Sequence, residues 1–257
     1  MKIGLFASGT VGIQIAKFLG DQGEAPACLA IDARDTCGLN ADIIAAASLP
    51  NPNRVFLSDS LYEPETLARL KELKPDLIVL AWWPYILKRE IIEIPRLGSL
   101  NFHPSLLPYN RGKHYNFWAL VEGAPFGVTL HWVDVAVDCG DIAFQSPIQV
   151  TWEDTGATLY HKAQEEIVHL FMKRFAEIKA GRIPRIPQDL SRGSFHRAHE
   201  LEQASRIELD KNYNARDLLN VSRARTFPPH PAAWFTEGDT RYEVRVEIKK
   251  AEKTNQV

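Results

Sequence analysis

Short apolar runs that stop at a glycine, proline or polar residue, each followed by a stretch with helical spacing, recur along this chain. They constrain its fold more than any other feature. Residues 2–7, apolar after the first, end in Ser8-Gly9-Thr10-Val11-Gly12, and Val11, Ile13, Ile15, Ala16 and Leu19 then recur at helical spacing. The pattern predicts a buried strand, a tight glycine turn and a helix. Further strands are predicted over residues 27–31, 76–83, 98–103 and 126–133, with a helix over 63–73 behind Pro64. Strands that alternate with helices bury their apolar faces in a mostly parallel sheet covered on both sides, so the fold class is α/β and Rossmann-like. Right-handed crossovers in such a sheet place functional loops at the carboxyl ends of the strands.

Residues 158–179 put Leu159, Ala163, Ile167, Leu170, Phe171 and Phe175 on one stripe, which predicts a long helix closing the core and ending at Gly181. A proline-rich, polar stretch follows. It reads as a linker over 183–200, separating a domain of residues 1–182 from a small α+β unit of residues 201–257. In that unit a short helix over 215–224 precedes Phe227-Pro228-Pro229-His230-Pro231. A hairpin then turns at Glu237-Gly238-Asp239, between Ala233-Trp234-Phe235 and the alternating Tyr242, Val244, Val246 and Ile248.

The 257 residues are 45% hydrophobic and 24% charged, the balance of an ordered globular protein. A formal charge of −2, from 30 basic and 32 acidic residues, gives no overall field for tRNA or DNA and speaks against a nucleic-acid partner. Lys249, Lys250 and Lys253 alternate with Glu243, Glu247 and Glu252, the pattern of a solvated face. Cys28, Cys37 and Cys139 form no CxxC pair and suit a reducing compartment. No basic-then-apolar leader opens the chain and no apolar run approaches the ~20 residues of a membrane span, so the expectation is a cytoplasmic protein with no membrane contact.

Three places could carry chemistry. Ala7-Ser8-Gly9-Thr10-Val11-Gly12 resembles a dinucleotide fingerprint with alanine at the first glycine, and Asp32 lies about 20 residues on. Ser8, Gly9 and Thr10 therefore read either as a phosphate site at a helix N-terminus or as a plain tight turn. Asn101-Phe102-His103-Pro104 is more specific. On a strand Asn101 and His103 point to one side and Phe102 to the other, which sets an amide donor beside an imidazole at a strand end. Such a pair can stabilise an oxyanion and move a proton. Downstream, a strand over 127–133 leads to Asp134 and Asp138, either of which could orient that imidazole.

Taken together, NFHPSLLP and the following GVTLHWVDVAVDCGDI resemble the signature of the folate-dependent formyltransferases over residues 1–180. That family includes glycinamide ribonucleotide transformylase, methionyl-tRNA formyltransferase and the sugar N-formyltransferases. The resemblance implies a catalytic Asn101, His103 and Asp138. Asp138 is preferred to Asp134 because Asp138-Cys139-Gly140-Asp141-Ile142 fits the family's Asp-x-Gly-x-Ile. It also implies 10-formyltetrahydrofolate as co-substrate and a reaction without metal, in which Asn101 and a protonated His103 bind the tetrahedral oxyanion.

By the same resemblance, Trp82, Trp83, Pro84, Tyr85, Ile86 and Leu87 occupy the place of the pterin pocket, with Val135, Val137 and Asp141 on the facing wall. The alternative for these aromatics is packing under the sheet edge. The run Pro108-Tyr109-Asn110-Arg111-Gly112-Lys113-His114, with Asn116-Phe117-Trp118-Ala119 and Val121-Glu122-Gly123, is similar to the sugar N-formyltransferases. This implies a nucleotide-linked amino sugar of surface polysaccharide biosynthesis as acceptor. Tyr109, Asn110, Arg111 and Lys113 would meet its hydroxyls and diphosphate, and Tyr109 or Tyr115 would cover the ring. Arg111 reads equally as a surface residue. The tail is shorter than the barrel of methionyl-tRNA formyltransferases and longer than glycinamide ribonucleotide transformylase, which again favours the sugar branch. It reads as base-binding or dimer-forming through residues 223–229, and a homodimer stays open. An NAD-dependent oxidoreductase and a silent nucleotide-binding module are the remote alternatives.

Overall fold

The structure is a computed structural model that describes residues 1–251; Glu252 and Lys253, which the charge and domain readings include, lie outside them. In chain order the elements are β1 (Ile3–Ala7), α1 (Gly9–Asp21), β2 (Cys28–Ile31), α2 (Asn40–Ala47), β3 (Val55–Leu57), α3 (Pro64–Leu73), β4 (Leu77–Ala81), α4 (Arg89–Ile92) and β5 (Gly98–His103). They continue as β6 (Arg111–Gly112), α5 (Tyr115–Glu122), β7 (Gly127–Trp132), β8 (Ile142–Pro147), α6 (Gly156–Lys179), β9 (Phe195–His196), α7 (Glu200–Ala204), α8 (Ala215–Ala224), β10 (Ala233–Glu237) and β11 (Thr240–Val244).

Seven strands form one sheet in the order β3-β2-β1-β4-β5-β7-β8, parallel through β5 and antiparallel at β7 and β8. The continuous apolar runs of β1 and β4 are explained by burial on both faces. Leu5, Ala7, Val79 and Ala81 belong to one core with α1, α5 and α6, and Phe6, Ile78 and Leu80 belong to another with α3 and α4. The chain runs outward from β1 in two directions, so the sheet has a switch point between β1 and β4, where ligand crevices open at carboxyl ends. Helix α6 begins with a reciprocal cap between Thr155 and Thr158 and supplies Phe171, which meets Phe102 with ring centroids 5.3 Å apart.

The predicted strands and helices are present, and β5 and α8 have the expected bounds. The hairpin β10–β11 turns at Gly238 as expected, but β11 ends at Val244, short of the alternation that reaches Ile248. The stretch 183–200 is not a free tether. Ile186 bridges to Ile142, Pro184 accepts a hydrogen bond from the Trp132 indole, and β9 pairs with β6. Its prolines and polar residues serve an extended strap whose backbone is bonded to the sheet domain. Arg223 is also structural: it is 7% exposed and donates to the carbonyls of Thr151 and Asp154, tying the end of α8 to the start of α6. No helix among the described residues is long and apolar enough to cross a membrane.

Candidate active site

A cavity of about 490 Å³ opens at the carboxyl ends of β4 and β5. Asn101, His103 and Asp138 all line it, together with residues 82–87, Lys113, His114, Tyr115, His131, Val135 and Val137. Period-two geometry explains the first pair: Asn101 and His103 emerge on the cavity side of β5 while Phe102 enters the core on the other.

Asp138 comes from the β7–β8 loop, and three supports hold it. Gly112 N–H donates to its Oδ2 at 3.0 Å, Gln188 Nε2 donates to the carbonyls of Asp138 and Gly140, and Gly140 lies so close to Trp132 that a Cβ would stand 1.9 Å from that carbonyl oxygen. Asp138 itself has φ of 53°, in the left-handed region that costs a non-glycine residue about 1–2 kcal/mol. Among the described residues six non-glycines share that feature. Ser48 and Lys74 close helices, whereas Trp82, Asn110, His114 and Asp138 stand in the loops that bound the cavity, so backbone strain is concentrated there.

The Asp138 carboxylate lies 3.5 Å from His103 Nδ1 and 3.6 Å from His131 Nε2, and its side chain is 12% exposed. Burial pushes the carboxyl up, but the neighbouring His103 and the Gly112 N–H more than offset this and hold it well below the usual carboxylate range. Burial also pulls His103 below its ordinary value, against the pull of Asp138 in the other direction. The resting site therefore holds an ionised Asp138 and a neutral His103 at neutral pH. The imidazolium expected in the oxyanion role has to be formed during a reaction. His103 Nε2 and the Tyr115 hydroxyl are buried without partners, two polar groups free to meet a bound molecule. Burial drives the Tyr115 phenol well above its ordinary value, so it stays protonated.

His131, not singled out in the sequence, pairs in register with Asn101 across β5 and β7. Its Nδ1 bonds the Trp132 carbonyl at 2.9 Å and its Nε2 stands 3.0 Å from Asn101 Nδ2. Because a carbonyl only accepts, Nδ1 carries a hydrogen, and with the Asn101 amide nitrogen donating, Nε2 is the acceptor.

The other expected contacts divide. Trp82 and Tyr85 reach the cavity half-buried; Trp83 and Leu87 are buried, Trp83 edge-on to Phe6 at 5.3 Å; Pro84 and Ile86 are exposed at the rim. Asp32 fixes this segment by accepting from the Tyr85 hydroxyl at 2.5 Å. Asp141 does not line the cavity, and its carbonyl accepts from Trp132. Ser8, Gly9 and Thr10 lie outside the lining, although a Cβ on Gly9 would touch Trp82 at 3.8 Å. Tyr109, Asn110 and Arg111 also lie outside it. Asn110 is fully buried and donates to Glu122 and Ser194, and Arg111 donates to Cys139 Sγ and the Leu190 carbonyl. Of that run, Lys113 and His114 reach the cavity.

Residues 28–175, more than half of the chain, match the family described as Formyl transferase, and residues 200–250 match an N-formyltransferase dimerization C-terminal domain. A methionyl-tRNA formyltransferase from Methylacidiphilum infernorum is 34% identical over 183 residues, covering 71% of this chain and 56% of that protein. The chain thus spans a little over half the length of the curated relatives it matches. A 4-N formyltransferase from Francisella tularensis shares the fold with a TM-score of 0.83 at 23% identity, covering 97% of this chain and 98% of that one. So does an N-formyltransferase from Helicobacter canadensis in complex with folinic acid and dTDP-3-aminofucose, with a TM-score of 0.71 at 18% identity over 94% and 86% of the two chains. By the match of more than half its length, the chain belongs to the formyl transferase family.

Proposed function

We propose that the protein transfers a formyl group from 10-formyltetrahydrofolate to the amine of a nucleotide-linked amino sugar. The observation that carries the reading is the convergence of Asn101, a neutral His103 and an ionised Asp138 on one cavity. 10-Formyltetrahydrofolate would supply the formyl carbon and leave with the electron pair of the broken C–N10 bond.

Asn101 spends one Nδ2 hydrogen on His131 and keeps the other for the oxyanion that forms as the amine bonds to the formyl carbon, an interaction worth about 3–4 kcal/mol in related sites. His103 takes the proton that the amine loses. The resulting imidazolium is stabilised by Asp138 and returns the proton to the departing nitrogen. The apolar rim at Pro84, Ile86 and Val135 suits the flat face of a pterin. Residue types here fit the co-substrate: a partnerless buried donor at the Tyr115 hydroxyl and a partnerless acceptor at His103 Nε2 stand beside an apolar slot.

For the acceptor, Lys113 and Arg197 line the cavity as two cations able to pair with a diphosphate, and His114, pulled below its ordinary value by burial, stands with them as a neutral hydrogen-bonding group. Likeness to the structure solved with dTDP-3-aminofucose supports the same choice. The match of residues 200–250 supports a homodimer through the C-terminal unit. A second reading, formylation of methionyl-tRNA, draws on the 34% identity to that enzyme. Incubation with 10-formyltetrahydrofolate, a panel of nucleotide-linked 3- and 4-amino sugars and charged initiator tRNA, with products read by mass, separates them. Formyl on a sugar is the expected result; transfer to tRNA alone overturns it.

A further inference from the structure

Residues 193–200 lie directly on the loop that carries the site. A Cβ on Gly193 would stand 1.9 Å from the Pro108 carbonyl oxygen, and one on Gly112 would stand 2.2 Å from that of His196. Arg111 N–H donates to the Ser194 carbonyl at 3.1 Å and Lys113 N–H to that of His196 at 2.9 Å. Phe195, His196, Arg197 and Ala198 line the cavity, opposite residues contributed by β4 and β5.

One side chain fastens this strap. The His196 ring stacks on Trp118 of α5, with centroids 3.7 Å apart and planes at 8°. Its Nε2 is 2.7 Å from Glu122 Oε1 and its Nδ1 is 3.0 Å from Glu200 Oε2. Glu122 also accepts from Asn110 and Ser194, and Glu200 from the Arg197 N–H. Carboxylates only accept, so both bonds exist only while both ring nitrogens carry hydrogen. The charged and titratable groups around the ring are Glu122 on α5, Glu200 and its neighbour His199 at α7, and Arg197 on the strap.

We propose that the strap is the acceptor-side wall of the site and that His196 is the positioning residue that latches it, through Glu122 on one side and Glu200 on the other. The proposal rests on the reading of an anionic acceptor, because the wall presents Arg197 beside Lys113. The latch also reaches the catalytic carboxylate by a short route: Gly112, pressed against the His196 carbonyl, donates its N–H to Asp138.

The test measures transfer kinetics and amide hydrogen exchange on the full chain, for wild type, His196→Ala and His196→Arg. His196→Ala has an acceptor KM raised about tenfold over wild type, with kcat and the donor KM changed little, the size expected for a lost charge-assisted bond. It also loses exchange protection at the Arg111 and Lys113 amides. His196→Arg, whose permanently charged fork can stack on Trp118 and reach both carboxylates, restores the low KM. Unchanged protection in His196→Ala, an unchanged acceptor KM in a variant whose strap has opened, or an arginine variant no better than alanine overturns the proposal. If wild type formylates no amino sugar, the function reading fails, and the exchange data still decide whether His196 is the latch.

Discussion

Asn101 on β5 and His131 on β7 face each other across the antiparallel pair, Nδ2 to Nε2 at 3.0 Å. The Trp132 carbonyl fixes the histidine tautomer, and the tautomer fixes which end of the Asn101 amide turns toward the strand. The remaining amide hydrogen is then aimed by the sheet itself. His131→Ala frees the amide to rotate and is expected to lower kcat about tenfold with the donor KM unchanged, roughly half the free-energy effect of losing an oxyanion donor. Steady-state kinetics check this, and a donor KM that rises in step with the loss of kcat places His131 in folate binding instead.

The acid limb of the pH profile reports on His103. Its folded value is lowered, so the neutral, proton-accepting ring persists below the ordinary value of about 6.5, and activity falls only as pH drops further. Asp138 opposes this lowering. Asp138→Asn therefore moves the acid limb of the residual activity to still lower pH. Stability follows the same sign: the lowered His103 weakens the fold as pH falls below about 6.5, and the lowered Asp138 adds to this below about 4. A profile whose limb lies above the ordinary histidine value contradicts the neutral resting ring.

Gly140 is where the loop that carries Asp138 passes over β7. A methyl group there would meet the Trp132 carbonyl at 1.9 Å, a contact relieved only by moving the loop that carries Asp138. Gly140→Ala is expected to cut kcat by about a hundredfold and to destabilise the fold by about 1–3 kcal/mol. Turnover assays and thermal melts together test it, and wild-type behaviour in both would show that the loop bends without cost.

Ile86 and Val135, which line the cavity, are 71% and 61% exposed, large apolar groups that would lose water when a flat ligand enters. Ile86→Asp is expected to raise the donor KM about tenfold and leave the acceptor KM near its original value. The reverse pattern assigns this lip to the acceptor.

The sheet was legible because β1 and β4 are buried on both faces, and such strands are written as nearly unbroken apolar runs. Two-residue strands such as β6 and β9 carry no pattern of their own; they exist because Gly112 and Gly193 permit close approach. The Asn101–His103 pair was visible through period-two geometry alone, whereas the choice of Asp138 needed the family pattern. His131 was hidden inside an apolar strand, and its role appears only once β5 and β7 are paired in register. Asn110 and Arg111 looked like substrate donors because a polar run after a motif advertises free hydrogens. Their acceptors, Glu122, Ser194, Cys139 and Leu190, lie too far along the chain to be read from spacing. The strap was concealed for the same reason: prolines and polar residues describe both a tether and a wall.

The most direct test of the account is the rate of formyl transfer from 10-formyltetrahydrofolate to a nucleotide-linked amino sugar, measured side by side for wild type and Asn101→Ala. Wild type should form the N-formyl product, and the variant, with its fold intact by circular dichroism, should lose about 10²–10³ in kcat. No transfer by wild type, or near-normal turnover by the variant, would contradict it.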